Sequence, residues 1–320
     1  MKKQSQKQKA IYNFEFPSFC DQLDIFGYVF QRISEYQERV RSLHHTISYS
    51  NEFKIDRNTG NHAITSVVNL PNKESKAVLP WGHEHPTALD DILLLLSLFT
   101  SRQVFSLEQS DAKDAVIVAD PREYFFGRNL RTSLEYIPKK KDGFIEYDQG
   151  FEIGINDIYK YIKKKDWLQK FGNGYFLFIF REACKRQILE TSFTSCWAIW
   201  EHLFYLHNKK WLSEDSIRKL PSKEKIAFVL SKYKIKENIE KEDRKGIERF
   251  VQIRNRLIHT GRFPDEDSHD QGELFIRITE QIIASILGLK RSDAMGTLYK
   301  LDTFLSGERK GYLSKTKSMG

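Results

Sequence analysis

The sequence predicts an α+β chain: a mixed N-terminal domain built on an antiparallel sheet, followed by an all-α helical bundle. Three observations carry that expectation. Short segments that alternate apolar with polar residues are confined to the first half of the chain. One run, ALDDILLLLSLFTSR from Ala88, is apolar nearly all round, as a helix buried within a domain would be. Beyond Gly172-Asn173-Gly174 the alternation gives way to apolar residues at i, i+3, i+4 and i+7, the helical period.

A length of 320 residues suits about two domains, and 40% hydrophobic with 13% aromatic residues is enough for packed cores, which excludes a disordered chain. Residues 1 to 10 read as a solvated leader, because MKKQSQKQKA lacks the apolar run that a signal peptide requires. YNFEF, from Tyr12, suits a half-buried strand, while the segment from Leu23 to Arg41 fits helix or strand equally. HTISYSNEFKI and HAITSVVNL, separated by DRNTGN, read as a hairpin. The string Pro80-Trp81-Gly82-His83-Glu84-His85-Pro86 punctuates the chain, and Thr87 can cap the apolar helix behind it. QVFSL, AVIVA and FIEYD are further strand candidates. The last follows the basic turn KKKDG, whose Lys139, Lys140 and Lys141 are a candidate anion contact.

Residues 1–152 therefore form the N-terminal α+β domain, and residues 153–174 a helical linker with its helix at Asn156 to Phe171. Residues 175–305 form the bundle, and residues 306–320 a polar, basic, disordered tail. Within the bundle, YFLFIFREACKRQILET reads as one helix. The next, SFTSCWAIWEHLFYLHNKK, gathers Phe193, Cys196, Trp197, Trp200, Leu203 and Phe204 on one face. Ser222 opens KEKIAFVLSKY, and ELFIRITEQIIASILGL closes the set.

Between those last two lies the segment on which a functional reading rests, DRKGIERFVQIRNRLIHTG from Asp243 to Gly261. On a helix, Ile247, Phe250, Val251, Leu257 and Ile258 form one apolar stripe with Arg254 in its middle. A guanidinium there cannot shed its charge, so it demands an anionic partner. Asn255 and His259, four residues apart, stack on one flank. Gly261 supplies a stop, which leaves His259 in the last turn, where the helix dipole favours the imidazolium form. Arg256 and Arg262 extend a basic rim.

The string Arg254-Asn255-Arg256-Leu257-Ile258-His259 resembles the Arg-x4-6-His signature of the HEPN superfamily, all-helical domains many of which are metal-independent ribonucleases. The surrounding helices are similar to the Apea-like subgroup over roughly residues 176–292. They comprise a Trp-Glu-x-Leu-Phe helix (Trp200, Glu201, Leu203, Phe204), a Lys-Glu-Lys-Ile helix, the Arg-Asn-x3-His helix and an apolar closing helix ending Leu-Gly. The resemblance implies a homodimer through face-to-face pairing of HEPN domains, so that two copies of the motif line one cleft. It also implies RNA as substrate, tRNA among the candidates, and a place in prokaryotic anti-phage defence or a toxin-like stress response, downstream of a separate sensing domain.

RNA cleavage without a metal needs few parts, because the ribose 2′-hydroxyl already sits beside the phosphate. In that chemistry Arg254 binds the scissile phosphate as a permanent fork, His259 is the general acid/base, Asn255 positions it and Glu201 orients Arg254. The expected product end is a 2′,3′-cyclic phosphate. Net charge supports an anionic partner, at +8 with a pI of about 9.1.

Other function classes find little footing. Cys20, Cys184 and Cys196 are odd in number and lack a Cys-x-x-Cys pair, which speaks for a reducing cytoplasm and against a disulfide framework or zinc site. The longest apolar run, Ile92 to Leu96 with its flanks, falls well short of a membrane span. His83-Glu84-His85 with Asp90 and Asp91 invites a metal, yet no short-range motif supplies a third ligand, so neither metal nor cofactor is expected. Walker, dinucleotide and nucleophile-elbow glycine motifs do not occur.

Overall fold

The computed structural model describes residues 7–17, 20–43, 63–100, 103–107, 139–141, 144–146, 150–185, 189–236, 238–263, 265–289 and 296–306. Its contacts divide the chain into two units, residues 1–187 with 287–290, and residues 188–286 with 291–320. The mixed α+β class holds, with strands in the first unit and helices dominating the second. The division falls at Gln187/Ile188, so the glycines at 172–174 lie inside the first unit rather than at its edge.

The first unit contains an antiparallel five-stranded sheet in the order β2-β3-β4-β1-β5. Its strands are β1 (Gln8–Tyr12), β2 (Gln22–Ile25), β3 (Tyr28–Arg32), β4 (Ile64–Asn69) and β5 (Phe105–Leu107). β1 covers QKAIY, not YNFEF, so the first strand begins inside the stretch read as leader. It stops at Asn13, whose φ of 60° leaves the extended region. The Asn13 amide then binds elsewhere, accepting from Ala63 N and donating to Gln103 O. The segment from Leu23 to Arg41 resolves into a hairpin and a helix. β2 and β3 turn at Phe26-Gly27, both at positive φ, and α1 (Tyr36–Leu43) follows.

Of the expected hairpin, HAITSVVNL supplies β4, paired with β1 and β3, while HTISYSNEFKI and AVIVA lie outside the described residues. Lys139 to Lys141 are not turn residues but a strand, β6 (Lys139–Lys141), paired antiparallel with β7 (Phe144–Glu146).

α2 (Ala88–Thr100) is buried on nearly every side, as its composition requires, and packs on β5, α3 (Gly150–Ile162) and α5 (Tyr175–Lys185). Asp91 is the one carboxylate it carries inward, fully buried. It accepts from Val78 N at 2.7 Å, Leu79 N at 3.3 Å, Trp81 Nε1 at 2.8 Å and the Tyr159 hydroxyl at 3.4 Å. Burial pushes its pKa up even so, against the pull of those donors. The expected helix from Asn156 to Phe171 is two helices, α3 and α4 (Lys165–Lys170), interrupted at Lys163-Lys164.

The second unit is a helical bundle of α6 (Leu189–Asn208), α7 (Glu214–Lys219), α8 (Ser222–Lys232), α9 (Lys241–Thr260), α10 (Glu266–Ile286) and α11 (Thr297–Ser306). α6 opens at Leu189, so Leu189-Glu190-Thr191 belong to it and not to the helix before. Its core centres on the Phe275 ring. Phe193, Trp197, Trp200 and Phe250 surround it with ring centroids 4.6 to 5.5 Å away. Trp200 buries its indole and donates to Thr279 Oγ1 at 2.8 Å, which joins α6 to α10. α9 enters from Glu240, whose N–H is accepted by Asp243 at 2.8 Å, and leaves at Gly261, in the left-handed region at φ 72°. Among the described residues no helix is long and apolar enough to cross a membrane.

Candidate active site

Burial along α9 fixes which way the motif faces. Ile247, Phe250, Ile253 and Leu257 are buried, while Val251 is half-buried and Ile258 is 55% exposed. The inward stripe therefore runs through Ile253 and not through Ile258. That rotation moves Arg254 from the middle of the stripe to its border, where it is half-buried. Asn255, Arg256, His259 and Arg262 are exposed.

At the border, the Arg254 guanidinium carbon lies 5.8 Å from the centre of the Trp197 ring, and its Nη1 donates to Asn255 Oδ1 at 3.1 Å. Among the described residues no carboxylate pairs with it. The buried anion demanded by a central position is not required, because the fork reaches water along one edge. Both observed partners are neutral, so the positive charge is oriented but not cancelled.

Glu201 was expected to orient Arg254 directly; that pairing is not formed. Its carboxylate accepts from Trp197 Nε1 at 3.1 Å, one turn back on α6. It therefore reaches Arg254 only through the indole it fixes. Trp197 is the site residue that apolar patterning hid: 5% exposed, it counts as core by hydropathy. The usable signal was its i, i+4 spacing to Glu201, which places an indole N–H beside a carboxylate.

His259 sits at the end of α9, where Gly261 N returns to Leu257 O at 2.8 Å and the Thr260 hydroxyl closes on Arg256 O and Arg262 O, each at 2.9 Å. This capping fixes the backbone beneath the imidazole and leaves the ring exposed. Arg256 faces Asp265, whose pKa is held down chiefly by its hydrogen bonds from Ser268, with a smaller effect of the Arg256 charge. Arg256 thus stands partly engaged at the α9–α10 corner, whereas Arg262 extends the exposed rim.

One helix accordingly carries a positive fork beside an amide, with the exposed imidazole about 140° further round its axis at roughly 100° per residue, groups of the kind that bind a phosphodiester and exchange protons with it. His83 Nε2 is 3.8 Å from Asp90, whereas Asp91 is turned into the core. Among the described residues no group of three or more His, Cys, Asp or Glu gathers as a metal would need. Comparison with protein-family models, with curated proteins and with solved structures gave no match.

Proposed function

We propose that this protein is a metal-independent endoribonuclease of HEPN type, acting in the cytoplasm in anti-phage defence or a toxin-like stress response, with no resident cofactor. The observation that supports the reading is Arg254: a guanidinium oriented by Trp197 and Asn255, with no carboxylate partner among the described residues, on the helix that also carries the exposed His259.

In the reaction, the ribose 2′-oxygen attacks the adjacent phosphorus as an imidazole takes its proton. The bond from phosphorus to the 5′-oxygen breaks, and an imidazolium protonates that oxygen, which leaves a 2′,3′-cyclic phosphate and a 5′-hydroxyl. Arg254 binds the phosphoryl oxygens as their charge grows. One chain carries a single His259, so acid and base on opposite sides of phosphorus require two copies, joined as a homodimer across the α9 faces.

Incubating purified protein with labelled tRNA or bulk RNA in EDTA tests this. EDTA-resistant cleavage to cyclic-phosphate ends, reduced at least ~100-fold in His259→Ala, is the expected result. Metal-dependent cleavage, or equal cleavage by both proteins, defeats it.

Exposed Ile258, beside His259, suits pairing through α9 equally in a second reading, a non-catalytic HEPN module for dimerisation or RNA holding coupled to a sensing domain. That module would leave RNA intact in the same assay while still pairing through α9.

A further inference from the structure

The end of the bundle where α6 stops carries a second cluster of charge, built around an exposed ring. Past Asn208 the chain runs through Lys209 and Lys210 and turns at Trp211, which at 73% is the most exposed large apolar side chain among the described residues. The indole is nonetheless fixed. Its Nε1 donates to His207 O at 3.2 Å, Trp211 N and Leu212 N return to Asn208 O at 3.0 and 2.9 Å, and Ser213 caps α7 directly afterwards. A large aromatic face held still in solvent has already lost the freedom that binding would cost it.

The same end collects more lysines. His207 Nε2 lies 2.8 Å from the Tyr233 hydroxyl, which brings the end of α8, with exposed Lys232 and Lys234 on either side of Tyr233, beside the end of α6. Of the acidic groups next in the chain, Asp215 pairs with Arg218 and Lys219, while Glu214 accepts from the neutral Tyr205 hydroxyl and keeps its charge. Lys209 Nζ lies 5.7 Å from the centre of the Tyr205 ring, and exposed lysines in the same stretch as an exposed aromatic ring are the composition that single-stranded nucleic acid selects, a base on the ring and phosphates on the ammonium groups.

We propose that this end of the bundle binds single-stranded RNA, with a base stacked on Trp211 and the flanking phosphates against Lys209, Lys210 and Lys232. The inference rests on the reading of the bundle as an RNA-handling domain. A membrane surface is the weaker occupant, because an interfacial anchor inserts several apolar side chains, whereas Leu212 beside Trp211 is turned partly inward.

The test is binding of a labelled oligouridylate to the full-length His259→Ala protein, in which the RNA survives. Adding Trp211→Ala weakens binding by ~5- to 150-fold, while Trp211→Phe keeps most of the affinity. Replacing Lys209 and Lys210 by Ser lowers the slope of log K against log salt by about 1.4, and Trp211→Ala leaves that slope unchanged. Unaltered affinity in Trp211→Ala overturns the inference, as does tryptophan emission that shifts with phosphatidylserine vesicles but not with oligouridylate. The two readings fail separately. Cleavage that requires His259 with binding indifferent to Trp211 removes only this inference, and Trp211-dependent binding with cleavage indifferent to His259 removes only the nuclease.

Discussion

Arg254 and Arg277 show two treatments of a guanidinium within one bundle. Arg277, 8% exposed, is met by Glu273 one turn earlier on α10, through Nε at 2.9 Å, and is neutralised where it stands. Arg254 is held by a ring face and an amide oxygen, an arrangement worth ~0.5 to 2 kcal/mol from the cation–π contact alone. Periodicity alone places Arg254 in the middle of an apolar stripe, where it would need a partner such as Arg277 has. The distinction lies in rotation: with Ile253 in place of Val251 and Ile258, the buried stripe is centred further round the α9 axis than the expected one, by less than the roughly 100° that separates successive residues. The i, i+4 placement of Asn255 and His259 was legible because it depends on helical geometry alone. If Trp197 positions Arg254, Trp197→Leu lowers the cleavage rate by about 10-fold with KM nearly unchanged, and Trp197→Phe restores much of it. A melting curve on each variant separates positioning from lost packing, and a Trp197→Leu protein that folds and cleaves like wild type removes Trp197 from the site.

At the scale of elements, the structure shows why some boundaries were readable and others not. α2 and α8 follow from composition and a start signal in the chain itself. β1 ends where Asn13 leaves the extended region, and that conformation is stabilised by Ala63 and Gln103, far away in sequence. Lys139 to Lys141 form a strand because 144–146 lie opposite, a pairing that outweighs the turn-like composition. α9 and α11 come close together at Gly246, where an added Cβ would stand 2.6 Å from Leu305 Cα and 2.9 Å from Leu305 Cδ2. The first contact is with backbone, so the helices themselves must part. Gly246→Ala is expected to cost about 2 to 3 kcal/mol in urea unfolding of the bundle, well beyond the few tenths of a typical surface change. A loss below ~0.5 kcal/mol would show that α11 does not close on α9 there.

At the scale of the whole molecule, the proposed chemistry asks for two copies, and the α9 face carries the means. Ile258 is 55% exposed beside His259, so a pairing face centred on α9 would bury it between subunits. Ile258→Asp is then expected to shift sedimentation from dimer to monomer and to abolish cleavage, while circular dichroism stays that of the folded chain. A monomeric wild type that still cleaves, or an Ile258→Asp dimer, removes the shared cleft. Such partnership cannot be read from one chain's hydropathy, since an apolar residue waiting for a second copy and one that is simply exposed look the same.

The span of α6 sets a further consequence. Trp197 lies beneath the guanidinium and Trp211 just past the far end, so from Trp197 to Asn208 the helix rises roughly 16 Å at about 1.5 Å per residue. A stacked strand advances about 3.4 Å per nucleotide, so roughly five nucleotides would bridge that distance. If both proposed contacts hold RNA, fragments shorter than that would keep only one of the two footholds and dissociate faster.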